Sequence, residues 1–216
     1  MKKATGLDFL VLALLAFGGI GLEVILAFGI EPILYGAQLG EWSTLQNILH
    51  WTITSALWGG VAYLLVRNAK KKYDFDIFKK GEKIKRWKWL LIAVFIVLSL
   101  MISYKDWNGS KVIKEFVFNG WLKFIFQYIY YIFETVLVTL ILVFAQKAFE
   151  KWFHKENIPY GGIAIALTWG IGHFFTKDIM TGIACMISGF AFGSVYLLAN
   201  RDIRKTFPIV LAMFVL

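Results

Sequence analysis

Long apolar runs separated by short, mostly basic segments dominate the pattern along the chain. A helix needs about 20 apolar residues to cross the hydrocarbon core of a bilayer. Six runs approach that length, at residues 9–30, 45–66, 89–104, 121–145, 161–175 and 179–199. A last run, residues 207–216, is too short to span alone. The pattern predicts an all-α, polytopic transmembrane helical bundle with six full spans and a partial seventh, in a single integral membrane domain over residues 1–216.

The amino-acid composition agrees with a membrane protein. Hydrophobic residues make up 59% of the 216 and charged residues only 17%, whereas a soluble domain carries about 25% charged residues. These proportions exclude an ordinary cytosolic enzyme and a disordered protein. They also exclude a nucleic-acid binder, despite the net charge of +9. The single cysteine, Cys185, excludes a disulfide framework and a cysteine-based zinc site.

The distribution of basic residues predicts the orientation. With a cytoplasmic N-terminus, residues 1–8, 67–88, 146–158 and 200–206 lie inside and hold 18 of the 23 lysines and arginines. The positive-inside rule favours this arrangement over its reverse. Residues 67–88 then form a basic cytoplasmic loop that contacts anionic lipid headgroups rather than nucleic acid. We therefore expect a multi-pass protein of a bacterial or archaeal cell membrane, with the lipid bilayer as a partner and no nucleic acid.

Four ionisable residues fall inside the predicted spans: Glu23, His50, Glu134 and His173. Such residues are costly in a bilayer and are functional candidates by default. Glu134 and His173 each lie about a dozen residues from the cytoplasmic ends of their helices, roughly 18 Å deep at 1.5 Å per residue. Because these helices are antiparallel and joined by a short loop, we expect the two side chains to meet.

A carboxylate and an imidazole at one depth can position and deprotonate a water, as general-base hydrolysis requires. Glu134 and His173 are therefore the predicted catalytic residues. The alternative is a structural pair that holds two helices together through a hydrogen bond. Structural roles are also favoured for Glu23, as the partner of a polar group in the bundle, and for His50, as an interfacial histidine.

A metal site is disfavoured by the number of ligands. Catalytic zinc takes three protein ligands. The sequence has no HExxH motif, and His50 and His154 are expected near opposite membrane faces. Three ligands would require Glu23 as well. We expect neither a metal nor a cofactor.

Short motifs in the second half resemble the CPBP family, the CAAX-protease-like intramembrane proteases. That family carries a Glu-Glu pair followed by Arg, then Phe-x-x-x-His on the next helix. A glycine-spaced helix follows, and then His-x-x-x-Asn or Asp. Here Glu134 and Thr135 stand at the first pair, with Thr139 at the Arg position. The stretch from Trp169 to His173, WGIGH, is similar to the second motif.

The resemblance covers roughly residues 125–216. Residues 189–208 are similar to the helix and turn before the third motif, where Met213 stands at the His position and the sequence ends before the Asn or Asp. The resemblance implies an all-helical bundle with a polar cavity that opens within the membrane. It also implies that the site activates water to hydrolyse prenylated C-terminal peptides or other membrane proteins. Carried over to this sequence, it makes Glu134 the base and His173 its assistant.

Two other functions stay open. A noncatalytic relative would bind a membrane or secreted peptide, as an immunity protein or a scaffold, and would need no complete motifs. A small transporter or channel would use Glu23, Glu134 and His173 as an ion or proton path. Transporters often show repeat symmetry or paired broken helices, and the sequence shows neither. The sequence leaves the oligomeric state open.

Overall fold

Helices form all the regular secondary structure in residues 4–216, the part of the chain that the computed structural model describes. The α-helices are α1 (Gly6–Ile25), α2 (Glu31–Tyr35), α3 (Thr44–Tyr73), α4 (Arg86–Asp106), α5 (Lys111–Phe153), α6 (Tyr160–Ile165), α7 (Ile171–Thr176), α8 (Ile179–Leu198) and α9 (Ile203–Val215). Two π-helical turns, Leu26–Ile30 and Ala166–Gly170, join α1 to α2 and α6 to α7. A 3₁₀ turn covers Leu39–Glu41. The predicted all-α fold is confirmed.

Several helices are long and apolar enough to cross a membrane. Within residues 4–216 there are five such segments: Gly6–Tyr35, Thr44–Tyr73, Arg86–Asp106, Lys111–Phe153 and Ile179–Leu198. The predicted fifth span corresponds to α6, the second π turn and α7. The predicted partial seventh corresponds to the 13-residue α9. The six-span count and the cytoplasmic N-terminus stay predictions.

The 43-residue helix α5 forms the centre of the bundle. Every side chain of residues 137–145 is buried, because α1, α3, α6 and α9 pack around this part of the helix. Burial on all sides explains why the stretch is apolar around its whole circumference. Towards its start the helix bends at Gly120, where φ is 66°. Only glycine adopts such a conformation without steric cost.

The segments that the charge count assigns to the cytoplasm meet at one end of the bundle. Arg201 donates hydrogen bonds to Glu150 Oε1 through Nε at 2.9 Å and Nη2 at 2.7 Å. These bonds join the turn after α8 to the end of α5. The Gly81 N–H donates to Asp202 Oδ2 at 3.3 Å, which ties the α3–α4 connection to the same place. The predicted topology requires the cytoplasmic segments to lie at the same end of the bundle. Residues 1–3 of the first of these segments lie outside the described residues.

Helices α6 and α8 pack with their backbones in contact. A Cβ atom on Gly193 would lie 2.5 Å from the Cα of Gly162, and one on Gly189 would lie 2.9 Å from the backbone nitrogen of Ala166. Both distances are shorter than real contacts of a Cβ atom. The two glycines form a GxxxG pattern, which permits close helix approach in membranes.

Candidate functional site

Trp169 connects the two residues that the sequence predicts to be catalytic. Its indole Nε1 donates a 2.9 Å hydrogen bond to Glu134 Oε1. Its backbone oxygen lies 2.8 Å from His173 Nδ1, and its ring packs against the imidazole with centroids 4.5 Å apart. Glu134 and His173 therefore meet at one tryptophan. No hydrogen bond or ion pair joins the two directly within residues 4–216.

These contacts leave one atom of each residue available. A carbonyl oxygen only accepts hydrogen bonds, so Nδ1 of His173 carries a proton and Nε2 is the lone-pair nitrogen of the neutral ring. Nε2 has no hydrogen-bond partner among the described residues. Glu134 is 8% exposed, and Trp169 contacts only its Oε1. A free carboxylate oxygen and a free imidazole nitrogen are thus offered to water or to a ligand.

The π turn Ala166–Gly170 sets the direction of Trp169. In a regular α-helix, positions eight apart differ in direction by about 80°. A π turn absorbs one extra residue and reduces this difference to about 20°. A Cβ atom on Gly162 would lie 2.9 Å from Gly193 Cα, and one on Gly170 would lie 2.9 Å from Met186 Cγ. Both glycines, eight positions apart, therefore face α8, while Trp169 reaches α5.

Helix α9 completes this region. The ring centroid of Phe214 lies 5.5 Å from that of Trp169, and the Phe214 carbonyl accepts a 3.0 Å hydrogen bond from Lys111 Nζ. Met213, at the position of the third motif, is buried in the same core cluster as Trp169. The segments that carry the three motifs, α5, the second π turn with α7, and α9, are therefore packed together.

Charged groups from three other positions act electrostatically on Glu134. They are Glu23 of α1, Lys111 at the start of α5 and Lys177 after α7. The charge count placed both lysines on the outer side and did not connect them with Glu134. Of the two ammonium groups, that of Lys111 lies near the site, because it donates to the carbonyl of Phe214, whose ring packs against Trp169.

A second polar cluster links the first three helices to α5. Nδ1 of His50 lies 2.6 Å from Glu31 Oε2, and its Nε2 lies 3.7 Å from Glu23 Oε1. The Tyr130 hydroxyl donates a 2.6 Å hydrogen bond to the same oxygen of Glu23. Glu23 thus pairs with polar groups of the bundle, as expected. His50 is buried among these partners, and its depth relative to the membrane surface stays a prediction.

The π turn Leu26–Ile30 explains why both glutamates reach one histidine. Glu23 and Glu31 are eight positions apart, and the extra residue of the π turn brings them close to the same helix face. Glu31 is only 2% exposed. In the sequence pattern it follows directly after the first apolar run, residues 9–30, and so lies outside the predicted span. The helix instead continues through the π turn and carries Glu31 into the bundle.

A third polar cluster lies where α5 bends. Oε1 of Glu115 accepts hydrogen bonds from the Tyr131 hydroxyl at 2.6 Å and from Gln127 Nε2 at 3.3 Å. Its Oε2 and the Tyr128 hydroxyl are buried without a hydrogen-bond partner in the described part of the chain. Glu115 was not among the predicted candidates, because the fourth predicted span begins only at residue 121.

Within residues 4–216, no group of three or more histidine, cysteine, aspartate or glutamate side chains is placed to hold a metal ion.

No family model, curated protein or solved structure matches the chain. The functional assignment therefore depends on the side-chain geometry and on the resemblance of the short motifs.

Proposed function

We propose that this protein is an intramembrane peptide hydrolase of the CPBP type, with Glu134 as the general base and His173 as its assistant. The observation that carries this proposal is the attachment of both residues to Trp169. The tryptophan holds one atom of each residue and leaves a second atom free. Peptide segments of membrane-associated proteins fit as substrates, because the residues lie among helices long and apolar enough to cross a membrane.

The free atoms match the requirements of general-base hydrolysis. A water held by Glu134 and His173 has a base for its proton and a second group that orients it. Glu134 takes this proton as the water oxygen attacks the carbonyl carbon of the peptide. The proton then passes from Glu134 to the amide nitrogen as the C–N bond breaks. The intermediate oxyanion needs a donor or a cation, and Lys111 and Lys177 are the cationic candidates.

The packing of α9 supports the same assignment. Met213 and Phe214 lie in the region of Trp169, where the third family motif would contribute. At three of the family's polar motif positions the chain carries a different residue. Thr135 and Thr139 donate their hydroxyls to backbone carbonyls of α5, so these hydroxyls already have partners. Met213 has a thioether where the family has a histidine and supplies no N–H donor.

The departure at Met213 favours a second function, peptide binding without cleavage. A binding site needs no oxyanion stabilisation, because it forms no tetrahedral intermediate. The free atoms of Glu134 and His173 would then hydrogen-bond a peptide. The two functions differ in one observable, the release of a shorter product.

The test measures cleavage by the whole protein in lipid nanodiscs. Wild type, Glu134→Gln and His173→Ala are incubated with a library of labelled membrane peptides, including prenylated C-terminal peptides. Matched controls are Glu156→Gln and His154→Ala, which change the same residue types at exposed positions. We expect each site variant to lose about 100-fold or more in initial rate. The controls should stay within about twofold of wild type.

The results separate the two functions. A folded wild type that binds labelled peptides and releases no product overturns hydrolysis and supports binding. A cleaving protein that tolerates both site substitutions contradicts the residue assignment. Thermal unfolding of all five proteins, monitored in the same nanodiscs, shows whether a lost activity reflects a lost fold.

A further inference from the structure

A polar cavity of about 590 Å³ opens at the end of the bundle where the cytoplasmic segments are predicted to lie. It is formed by residues 74–82 of the α3–α4 connection, the last turns of α5, and the turn between α8 and α9. Neither Glu134 nor His173 lines it. The cavity is therefore separate from the proposed hydrolytic site.

The walls of the cavity are held in place by hydrogen bonds. Glu150, on one wall, binds the Arg201 guanidinium and the Gln146 amide. A Cβ atom on Gly81 would lie 2.6 Å from the Asn200 carbonyl oxygen, so the α3–α4 connection is in direct contact with the backbone of the turn between α8 and α9. Asn200 and Arg201 both have positive φ, at 56° and 58°. Backbone in this region is costly for these residues and persists where its surroundings over-determine it.

Several hydrogen-bond donors line this fixed cavity without a partner. Lys79, Lys80 and Lys147 are lining residues, and their ammonium groups make no hydrogen bond or ion pair within residues 4–216. The Tyr196 side chain also lines the cavity and is only 5% exposed. Its hydroxyl has no hydrogen-bond partner among the described residues. The Tyr196 hydroxyl is therefore available as a further hydrogen-bond donor to a ligand in the cavity.

Two acceptors accompany these donors. The carboxylates of Asp74 and Glu82 line the cavity and make no hydrogen bond within the described residues. The other two lining carboxylates are occupied, since Asp76 pairs with Lys70 and Glu150 with Arg201. Three free ammonium groups and two free carboxylates therefore line one cavity. This set of charges suits a ligand that carries both an anionic group and hydrogen-bond donors.

We propose that this cavity binds a phosphate ester whose second half carries hydroxyl or amine groups. The phosphate is held by the three lysines and the Tyr196 hydroxyl, since charge-assisted hydrogen bonds to phosphate are among the strongest in proteins. The hydroxyl or amine groups donate to Asp74 and Glu82. Such an ester is available as the headgroup of an anionic or amine-bearing phospholipid, or as a soluble metabolite of the same chemistry.

The test has a lipid arm and a soluble arm. Delipidated protein is titrated with phosphatidylglycerol, phosphatidylethanolamine or phosphatidylcholine, and binding is followed by native mass spectrometry. In the second arm, glycerol 3-phosphate and inorganic phosphate are added in detergent, and thermal stabilisation is measured. Phosphatidylcholine is the matched negative lipid, because its trimethylammonium group has no N–H to donate to the carboxylates.

The variants separate this cavity from general surface charge. Tyr196→Phe and the double variant Lys79→Gln/Lys80→Gln should weaken binding by about tenfold or more. The double variant Lys83→Gln/Lys85→Gln removes the same charge from the same connection at positions that do not line the cavity. It should bind as wild type does. Binding in either arm with this pattern supports the proposal and identifies the source of the ester.

Two results would overturn the proposal. Equal loss in both double variants assigns the binding to the basic surface, and the cavity then plays no part. A wild type that prefers none of the phospholipids and is stabilised by neither soluble phosphate has no such site. Because no step of this test uses peptide cleavage, its failure leaves the proposed hydrolase function unaffected.

Discussion

The carboxylate of Asp202 joins two distant parts of the chain. Its side chain caps α9 through the Arg204 N–H at 3.2 Å and accepts the Gly81 N–H from the α3–α4 connection at 3.3 Å. It also pairs with the Arg204 guanidinium at 3.0 Å and with the Lys205 ammonium at 3.3 Å. The Arg204 hydrogen bonds, followed by those of Lys205 and Gly81, hold the pKa of Asp202 well below its usual range.

This lowered pKa predicts a pH-dependent contribution to stability. The pKa of Asp202 in the folded protein is below the unfolded value of about 4. The carboxylate's contribution to the free energy of unfolding is therefore fully present above about pH 4 and is lost as the pH falls through the folded-state pKa. Asp202→Asn should lower the free energy of unfolding at pH 7 by about 1–2 kcal/mol, as expected for a weakened cap and hydrogen bonds. When unfolding is measured in detergent, the difference in unfolding free energy between wild type and Asp202→Asn should become smaller below about pH 4.

Asp178→Asn is the matched control for this prediction. Asp178 caps α8, and its hydrogen bonds to Thr181 lower its pKa as well. It is exposed, and these hydrogen bonds are local to the start of α8. We expect Asp178→Asn to lower the free energy of unfolding by less than Asp202→Asn does. A pH-independent difference between Asp202→Asn and wild type would contradict a role for the carboxylate charge.

A polar residue is recognisable as a candidate from the sequence only where it interrupts an apolar run. Glu134 and His173 satisfied that condition, and the structure places both at Trp169. Glu31 and Glu115 did not, because each lies beside a span, within a segment that contains other polar residues. Their burial depends on helices that continue beyond the apolar runs, at the first π turn and through the bend at Gly120. Hydropathy alone does not register such continuation.

At the scale of helices, apolar length predicted most of the fold. The centre of α5 was found because its buried circumference is apolar on every side. The segment from α6 to α7 was predicted as an uninterrupted span, yet it contains a π turn. A single inserted residue changes the helix face without changing the average hydropathy, so the apolar pattern carried no sign of it. The GxxxG pattern of α8 permits close packing, and the structure identifies α6 as its partner.

Close packing of α8 on α6 predicts an unequal response of two glycines to alanine. A Cβ atom on Gly193 would meet backbone atoms of Gly162, at 2.5 Å from Cα and 2.6 Å from N. Because backbone atoms cannot rotate away, Gly193→Ala should destabilise the protein by about 1–3 kcal/mol. Gly172→Ala is the control, since a Cβ atom there would have no heavy atom of a neighbouring residue within 4 Å.

The control should be neutral or slightly stabilising, because alanine favours helix over glycine by up to about 1 kcal/mol. Thermal unfolding of the three proteins in one detergent measures both effects. Equal stability of Gly193→Ala and Gly172→Ala would mean that the backbones of α6 and α8 are not in contact.

At the scale of the whole molecule, the distribution of basic residues and the hydrogen bonds between segments place the same segments at one end of the bundle. Basic residues assigned four segments to one side, and hydrogen bonds among Glu150, Arg201, Gly81 and Asp202 join three of them at one end of the bundle. The charge count thus predicted a spatial grouping of distant segments. Which side of the membrane this end faces is a separate prediction, made by the positive-inside rule.

Cysteine labelling of intact cells tests that orientation. In a Cys185→Ser background, Glu41→Cys lies between the first two predicted spans, on the predicted outer side, and Lys155→Cys lies in a predicted cytoplasmic segment. Both positions are exposed. A membrane-impermeant maleimide should label the first variant on intact cells and the second only after lysis. Labelling of Lys155→Cys alone on intact cells would mean that the chain is inserted the other way round.

The two π turns also affect how relatives of this chain can be recognised. Each one is equivalent to a single residue inserted into a regular helix. A related protein without the insertion would align with this chain only if a one-residue gap were allowed inside an apolar segment, where alignments normally place none. An ungapped comparison would pair Glu31 and His173 with the wrong positions. A search for homologous sequences should therefore permit gaps at residues 26–30 and 166–170.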